Sequence, residues 1–78
     1  MRLWKLIRRG SESDKLYDVA NSFVICATDM HTARQVASEH CGDEGAYVWL
    51  KHTLSSCVCI ATTTTAKPGV VVRDYRAG

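Results

Sequence analysis

Two stretches near the N-terminus carry the hydrophobic pattern of β-strands. Residues 3–8 alternate, with Trp4 and Leu6 on one side and a lysine in the middle of the other, so Trp4 and Leu6 are expected to face the core. Residues 23–27 form an unbroken apolar run, typical of a strand buried on both faces or central in a small sheet. The polar segment 10–15 lies between them, and the pattern therefore predicts a β-hairpin.

A helix is predicted directly after the second of these strands. The positions that recur at helical spacing are Met30, Ala33, Val36, Ala37 and His40. Thr28 and Asp29 offer side-chain oxygens that can cap the first turn, and Gly42 is expected to end the helix in the left-handed conformation. Arg34 and Gln35 are expected to face solvent.

The second half of the chain predicts two further strands. Residues 54–63 form one, and residues 70–73 form another after a turn signal at residues 67–69. The short apolar stretch 47–50 is either an edge strand or a packed loop. Together these elements predict an α+β fold in a single small domain, residues 1–78, of the order ββαββ: a mostly antiparallel sheet with one helix packed on one face.

Composition and charge limit the class of protein to which the chain is expected to belong. Apolar residues make up 46% of the 78 residues and charged residues 23%, which is typical of a globular domain. The longest apolar run is far shorter than the ~20 residues that span a bilayer, and the N-terminus lacks the apolar core of a signal peptide, so a cytoplasmic protein with free thiols is expected. The net charge of +2 is low for a dedicated duplex binder.

The cysteines and histidines raise the possibility of a zinc site. The candidate ligands are His40, Cys41, His52, Cys57 and Cys59. Structural zinc sites usually take paired ligands two to four residues apart across a turn, whereas Cys57 and Cys59 lie within a predicted strand. We therefore expect no metal and no cofactor, and interpret the cysteines as small packing residues.

An activated thiol at Cys26 is also poorly supported by the sequence. Cys26 precedes the helix, and His31 lies in its first turn, which resembles the setting of an activated thiol. Cys26 nevertheless belongs to the most apolar run of the chain, where burial makes a thiol inert.

Glu39, Asp43 and Glu44 lack the alternating oxygens of a calcium loop and are interpreted as a solvated turn. No enzymatic activity is expected.

Basic residues cluster near both ends of the chain. The possible nucleic-acid contacts are Arg2, Lys5, Arg8, Arg9 and Arg76, together with Arg73. If the first and last strands are neighbours in the sheet, these side chains form one basic face, with Tyr75 as a platform for base stacking. The alternative is that they lie on edge strands and discourage aggregation.

Four large side chains are candidates for contact with a protein partner. They are Tyr47, Trp49, Arg73 and Tyr75, of the types that dominate binding energy at interfaces. For Trp49 the competing interpretation is a plug in the core between sheet and helix. The edge formed by residues 70–72 also leaves open a homodimer built by strand pairing.

With these residues in place, the chain resembles a family of small uncharacterised bacteriophage proteins. The matching residues are Leu3-Trp4, Tyr17-Asp18, Phe23-Val24 with Ala27, Ala33-Arg34, Trp49, Gly69-Val70-Val71 and Ala77-Gly78. The sequence departs from the family in its cysteines and in the threonine run 62–65. The resemblance implies a phage or prophage origin and brings no family activity with it.

That origin favours one class of function. Small phage proteins without catalytic groups often act by covering a surface of a host machine. The expectation is therefore a non-enzymatic inhibitor, in the host cytoplasm, of a host protein or ribonucleoprotein complex that serves in defence or regulation, such as a CRISPR complex. The alternatives are a nucleic-acid-binding accessory protein that uses the basic strands, and a structural protein that acts as an oligomer.

Overall fold

Four antiparallel strands form one sheet, and two helices pack on one of its faces. The computed structural model describes residues 1–9 and 19–76. Its elements are β1 (Arg2–Arg8), β2 (Val19–Ala27), α1 (Met30–Glu39), α2 (Ala46–Leu50), β3 (Ser55–Ala61) and β4 (Gly69–Arg76). The strands lie in the order β3-β1-β2-β4, and each neighbouring pair is antiparallel. The predicted α+β fold and the antiparallel pairing of the first two strands are confirmed.

Several boundaries differ from those predicted. The second and last strands are longer than the apolar runs that identified them, and the third is shorter at both ends. Pairing with a neighbouring strand extends β2 and β4 into polar residues, which a hydrophobic pattern does not show. The predicted turn at 10–15, Tyr17-Asp18 and Ala77-Gly78 lie outside the described residues.

The core lies between the sheet and the two helices. Its largest side chains are Trp4, Leu6, Phe23, Ile25 and Trp49. Trp4 and Leu6 both face it, as the alternation in β1 predicts. The rings of Phe23 and Trp49 meet edge to face with centroids 4.8 Å apart, a favoured aromatic arrangement.

Helix α1 begins as predicted and ends differently. The Asp29 carboxylate accepts a hydrogen bond of 2.7 Å from the Thr32 backbone N–H, and this bond lowers the pKa of Asp29. At the other end, the His40 N–H donates to the Ala37 carbonyl, so the chain leaves the helix at His40 in an ordinary conformation. Gly42 does not adopt a positive φ, and its prediction as a left-handed stop is wrong.

Helix α2 replaces the edge strand or packed loop expected over residues 47–50. Gly45 has φ of 86°, a conformation that side chains other than glycine rarely adopt, and this turn directs the chain into the helix. The Lys51 N–H then donates to the Tyr47 carbonyl at 3.1 Å. The stretch is too short for its spacing to distinguish a strand from one helical turn.

The middle of the sheet face opposite the helices is partly exposed. We call it the open face, and it carries Lys5, Ile7, Val24, Val58, Val72 and Asp74, as the pairing registers place them. Val58 is 57% exposed and Val72 is 55% exposed. At the end where β1 begins, Cys26 is buried beneath Met1 and Ala66, which lies in the connection between β3 and β4.

Candidate functional site

A buried arginine joins both helices to the sheet. Arg34 of α1 is only 8% exposed, and its guanidinium donates to the Trp49 carbonyl at 3.0 Å, to Ser55 Oγ at 2.8 Å and to the Ser55 carbonyl at 3.0 Å. The last carbonyl groups of a helix have no partner within it, and Arg34 satisfies one of these at the end of α2. The expectation that Arg34 faces solvent is therefore wrong, whereas Gln35 is exposed as expected.

The carboxylate of Glu44 fixes the loop that precedes α2. Its Oε1 accepts hydrogen bonds from the backbone N–H of Ala20 at 3.1 Å and of Gly42 at 2.7 Å. Its Oε2 accepts one of 2.6 Å from the Trp49 indole N–H. Charge-assisted bonds of this kind are stronger than neutral ones. Glu44 is thus a structural link between β2, the loop and α2, and its interpretation as part of a solvated turn is corrected.

These two links hold α2 so that Tyr47 projects outward. Tyr47 is 70% exposed, and the Lys51 ammonium lies 5.1 Å from its ring centroid. Leu50, also on α2, and Leu54, just beyond it, are partly exposed as well. An exposed tyrosine on a rigid support offers a large contact area with little conformational entropy to lose.

A second aromatic group lies on β4. The Arg73 guanidinium carbon is 4.3 Å from the centroid of the Tyr75 ring, and an Arg73 N–H donates to the His40 carbonyl at 3.3 Å. Arg73 pairs in register with the core residue Phe23, so it lies on the helix side of the sheet. Arg73 and Tyr75 both belong to β4, which extends to Arg76. Tyr75 therefore does not lie beyond the last strand, as its sequence position suggested.

Trp49, the fourth candidate anchor, is fully buried. Its ring packs on Phe23 and its indole N–H is bound to Glu44. This position corrects the expectation that Trp49 contacts a partner, and the alternative interpretation, a plug in the sheet-helix core, describes it. The sequence around Trp49 does not indicate which side of such a short helix faces the core.

The basic residues of β1 do not form one face. Arg2 and Arg8 lie near opposite ends of the strand, roughly 20 Å apart, and Lys5 points to the open face. The Arg8 guanidinium donates to Asn21 Oδ1 at 3.0 Å, while Arg9 is exposed. Strand β2 separates β1 from β4, so the arrangement required for a single basic face is absent among the described residues.

The four cysteines are free thiols in different surroundings. Burial raises the pKa of Cys57, and burial together with the charge of Glu44 raises that of Cys41, so both are poorer nucleophiles than an ordinary cysteine. Over residues 1–9 and 19–76, no group of three or more His, Cys, Asp or Glu side chains could hold a metal ion.

Comparison with known proteins returned no match to a family model, a curated protein or a solved structure. Among the described residues, neither helix has the length and apolar character needed to span a membrane. The candidate site therefore rests on the geometry of this chain, namely Tyr47 on α2 and, separately, the Arg73–Tyr75 pair on β4, a strand that α2 does not contact. We call these three residues the anchor set.

Proposed function

We propose that this chain is a small non-enzymatic protein that binds and inhibits a host defence or regulatory complex, in the manner of an anti-CRISPR or another anti-defence protein. It acts by covering a surface of its partner, which is a host protein or ribonucleoprotein complex. The anchor set makes the central contacts, and its residue types, tyrosine and arginine, are those enriched among the residues that dominate interface energies.

The stacking of Arg73 on Tyr75 is the observation that supports this proposal most. The guanidinium lies 4.3 Å from the ring centroid and is also bound to the His40 carbonyl, so both side chains are held before any partner arrives. Ordering a long side chain on binding costs about 0.5–1.5 kcal/mol, and a preformed pair avoids much of this. Tyr75 is still 37% exposed and Tyr47 is 70% exposed, which leaves area for contact.

Two further features support inhibition of a defence complex. Arg34 and Glu44 tie the backbone beneath Tyr47, and β4 is paired with β2, so each part of the anchor set is presented by a rigid support rather than by a free loop. The resemblance to small bacteriophage proteins supplies the class of partner, because phage proteins of this size often act on host defence machines.

The proposal is tested by expressing the chain in bacterial strains that each carry one defined defence system. Each strain is infected with a phage that its system restricts, and the efficiency of plating is measured. We expect the chain to restore plating in at least one strain. Truncation of an anchor costs about 2 kcal/mol or more of binding free energy, so Tyr47→Ala combined with Arg73→Ala should abolish the restoration.

The control is Met30→Ala, which truncates an exposed side chain in the first turn of α1, away from the anchor set. It should restore plating as the parent does. Thermal melts of all variants must agree within a few degrees, since the truncated side chains are exposed. Failure to restore plating in every strain, or full restoration by the doubly truncated variant, contradicts the proposal.

A further inference from the structure

The outer edge of β3 has no neighbouring strand in the part of the chain that the structure describes. β3 lies at the end of the strand order β3-β1-β2-β4, so it is paired with β1 on its inner side alone. Backbone N–H and C=O groups on the outer side of an end strand are available to a further strand. The hydrogen bonds at the start of β3 determine which of its groups point outward.

Backbone groups at the start of β3 point alternately inward and outward. The Arg9 N–H donates to the Leu54 carbonyl at 2.9 Å, so Leu54 points towards the segment of β1. Successive residues of an antiparallel strand point to opposite sides, and the next residue, Ser55, follows this rule. Its N–H donates to the Lys51 carbonyl at 3.2 Å, and its carbonyl accepts from the Arg34 guanidinium at 3.0 Å. The end of α2 and Arg34 therefore occupy the first outward position of this edge.

The next two outward positions, Cys57 and Cys59, are open. The register with β1 is continuous from Ser55 to Cys59, so the alternation holds over this range. Within residues 1–9 and 19–76, no group bonds the outward N–H and C=O of either cysteine. Two N–H and C=O pairs about 6.8 Å apart are the pattern that an extended peptide backbone complements.

The side chains of β3 offer none of the usual protection against a further strand. The strand reads SSCVCIA, without charge or proline, and its one register irregularity against β1 lies beyond Cys59. β4, at the opposite edge, carries Arg73 and Asp74, follows Pro68 and has two irregularities against β2. Charges, prolines and irregularities block sheet edges in natural proteins. These features disfavour the strand-paired homodimer considered from residues 70–72 and leave β3 as the receptive edge.

Lys5 determines the charge that suits this edge. Lys5 and Val58 are partners on neighbouring strands, and both lie on the open face. A residue added opposite Val58 continues this row, with its Cα about 9.6 Å from the Cα of Lys5. The long side chains of lysine and glutamate can meet over Val58 at this separation. Lys5 is exposed and has no ion-pair partner among the described residues, so it is available to a carboxylate.

We propose that the outer edge of β3 binds an extended segment of a partner protein, which adds a fifth, antiparallel strand to the sheet. The backbone of the segment exchanges hydrogen bonds with Cys57 and Cys59. Its central residue lies opposite Val58 and is acidic, so that it pairs with Lys5. In this mode of recognition the main-chain bonds supply affinity and alternate side chains supply specificity. A single short segment is sufficient, so the edge does not need the area of a domain interface.

This strand site goes beyond the proposed function and does not depend on it. Tyr47 of the anchor set lies on α2, and Arg73 and Tyr75 lie on β4 at the opposite edge of the sheet. The site consists instead of the β3 backbone and Lys5. Peptide binding at β3 is measured with the purified chain, without a defence complex, so it and the proposed inhibition can fail separately.

The probe is the capped peptide Ser-Thr-Val-Glu-Val-Thr-Ser, added to the isotope-labelled chain up to about 2 mM and followed by nuclear magnetic resonance. In the free chain, the amides of Cys57 and Cys59 should exchange with solvent faster than those of Ser56 and Val58, which point towards β1. The peptide should shift the two cysteine amide signals and slow their exchange at least about tenfold, with a dissociation constant below about 1 mM.

Two control peptides separate backbone pairing from side-chain contact. N-methylation of both valines removes the N–H groups that donate to the Cys57 and Cys59 carbonyls, and this peptide should not bind. A peptide with lysine in place of the central glutamate should bind at least about threefold more weakly, because its charge repels that of Lys5.

A charge exchange on the protein tests the role of Lys5. Lys5→Glu should reverse the preference, so that the peptide with the central lysine binds more tightly than the one with glutamate. Lys67→Glu is the matched control, since it replaces an exposed lysine next to β4 and alters the net charge equally. It should bind the glutamate peptide as the parent does.

Four results would overturn the proposal. They are absence of binding at about 2 mM peptide, equal binding of the N-methylated peptide, signal shifts that spare β3, and an unchanged peptide preference in Lys5→Glu. Slow exchange of the Cys57 and Cys59 amides without peptide, lost on dilution, would assign the edge to a second copy of the chain and overturn it as well.

Discussion

Arg34 shows how a single side chain can determine the packing of two helices. Its guanidinium lies between α1, the end of α2 and the start of β3, and it donates to three acceptors from Trp49 and Ser55. All three acceptors are oxygens of neutral groups, and two are backbone carbonyls. Arginine suits this position because its rigid planar fork can bind several acceptors at once.

We predict that Arg34→Ala lowers the free energy of unfolding by about 3 kcal/mol, because buried carbonyl groups and the Ser55 hydroxyl lose their donor. Arg34→Lys should fall between the alanine variant and the parent, since one ammonium cannot reproduce the fork. Urea denaturation provides the measurement. Gln35→Ala is the matched control, exposed and adjacent on α1, and it should change stability by less than about 0.5 kcal/mol. Equal effects of the two alanine substitutions would refute the structural role of Arg34.

Position 34 is close to the buried side of α1, but the charge of arginine led to the prediction that it faces solvent. Ala33 and Ala37 are both buried, and position 34 lies on the flank of that side of α1, about 60° around the helix from Ala37. Two small residues leave room for a long side chain to cross the helix surface. Helical periodicity gives the direction of each position, but it does not tell whether a charged side chain finds acceptors there. Those acceptors come from α2 and β3, which are distant in sequence.

At the scale of elements, the loop before α2 is organised by the Glu44 carboxylate. Strand β2, the loop and α2 each supply one N–H group to it, from Ala20, Gly42 and Trp49. This set of donors explains why a five-residue helix, which is far too short to be stable alone, is nevertheless formed. Its stability comes from its contacts with the rest of the protein.

We predict that Glu44→Gln destabilises the protein by about 1–3 kcal/mol, because an amide has one acceptor oxygen and its NH₂ group faces a donor. The Trp49 indole should lose its partner, so the tryptophan fluorescence of the folded protein should also change. Asp43→Asn is the control, an exposed acidic neighbour in the same loop, and it should alter neither quantity. An unchanged unfolding midpoint for Glu44→Gln would show that the carboxylate does not hold the loop.

Elements with many residues were predictable and the shortest was not. β1, β2 and α1 follow from alternation, an apolar run and a cap at Asp29, which are all local patterns. Helix α2 depends on Gly45 at positive φ and on Glu44, whose donors come from distant segments. The four contact candidates were chosen from their residue types, and Trp49 was among them because the direction of a single helical turn cannot be read from four apolar residues.

At the scale of the whole molecule, the strand order bears on the alternative of nucleic-acid binding. With β2 between β1 and β4, the basic residues near the two chain ends are separated. Lys5 faces the open side, Arg73 faces the helix side, and Arg8 is bound to Asn21. Among the residues whose side chains the structure describes, the basic groups spread in this way form no continuous path for a phosphate backbone.

We therefore predict that single- and double-stranded nucleic acids bind weakly and only at low salt. Affinity falls with the logarithm of salt concentration in proportion to the number of phosphates contacted, and one or two contacts give a shallow slope. Fluorescence anisotropy with labelled oligonucleotides, measured from about 20 mM to about 200 mM salt, should show binding that disappears near physiological salt. Arg2→Ala and Arg9→Ala, which truncate two exposed arginines of the N-terminal segment, should each reduce the low-salt signal by a similar small factor. Tight binding at physiological salt with a steep slope, lost on truncation of either arginine, would instead favour the nucleic-acid-binding accessory protein over the inhibitor.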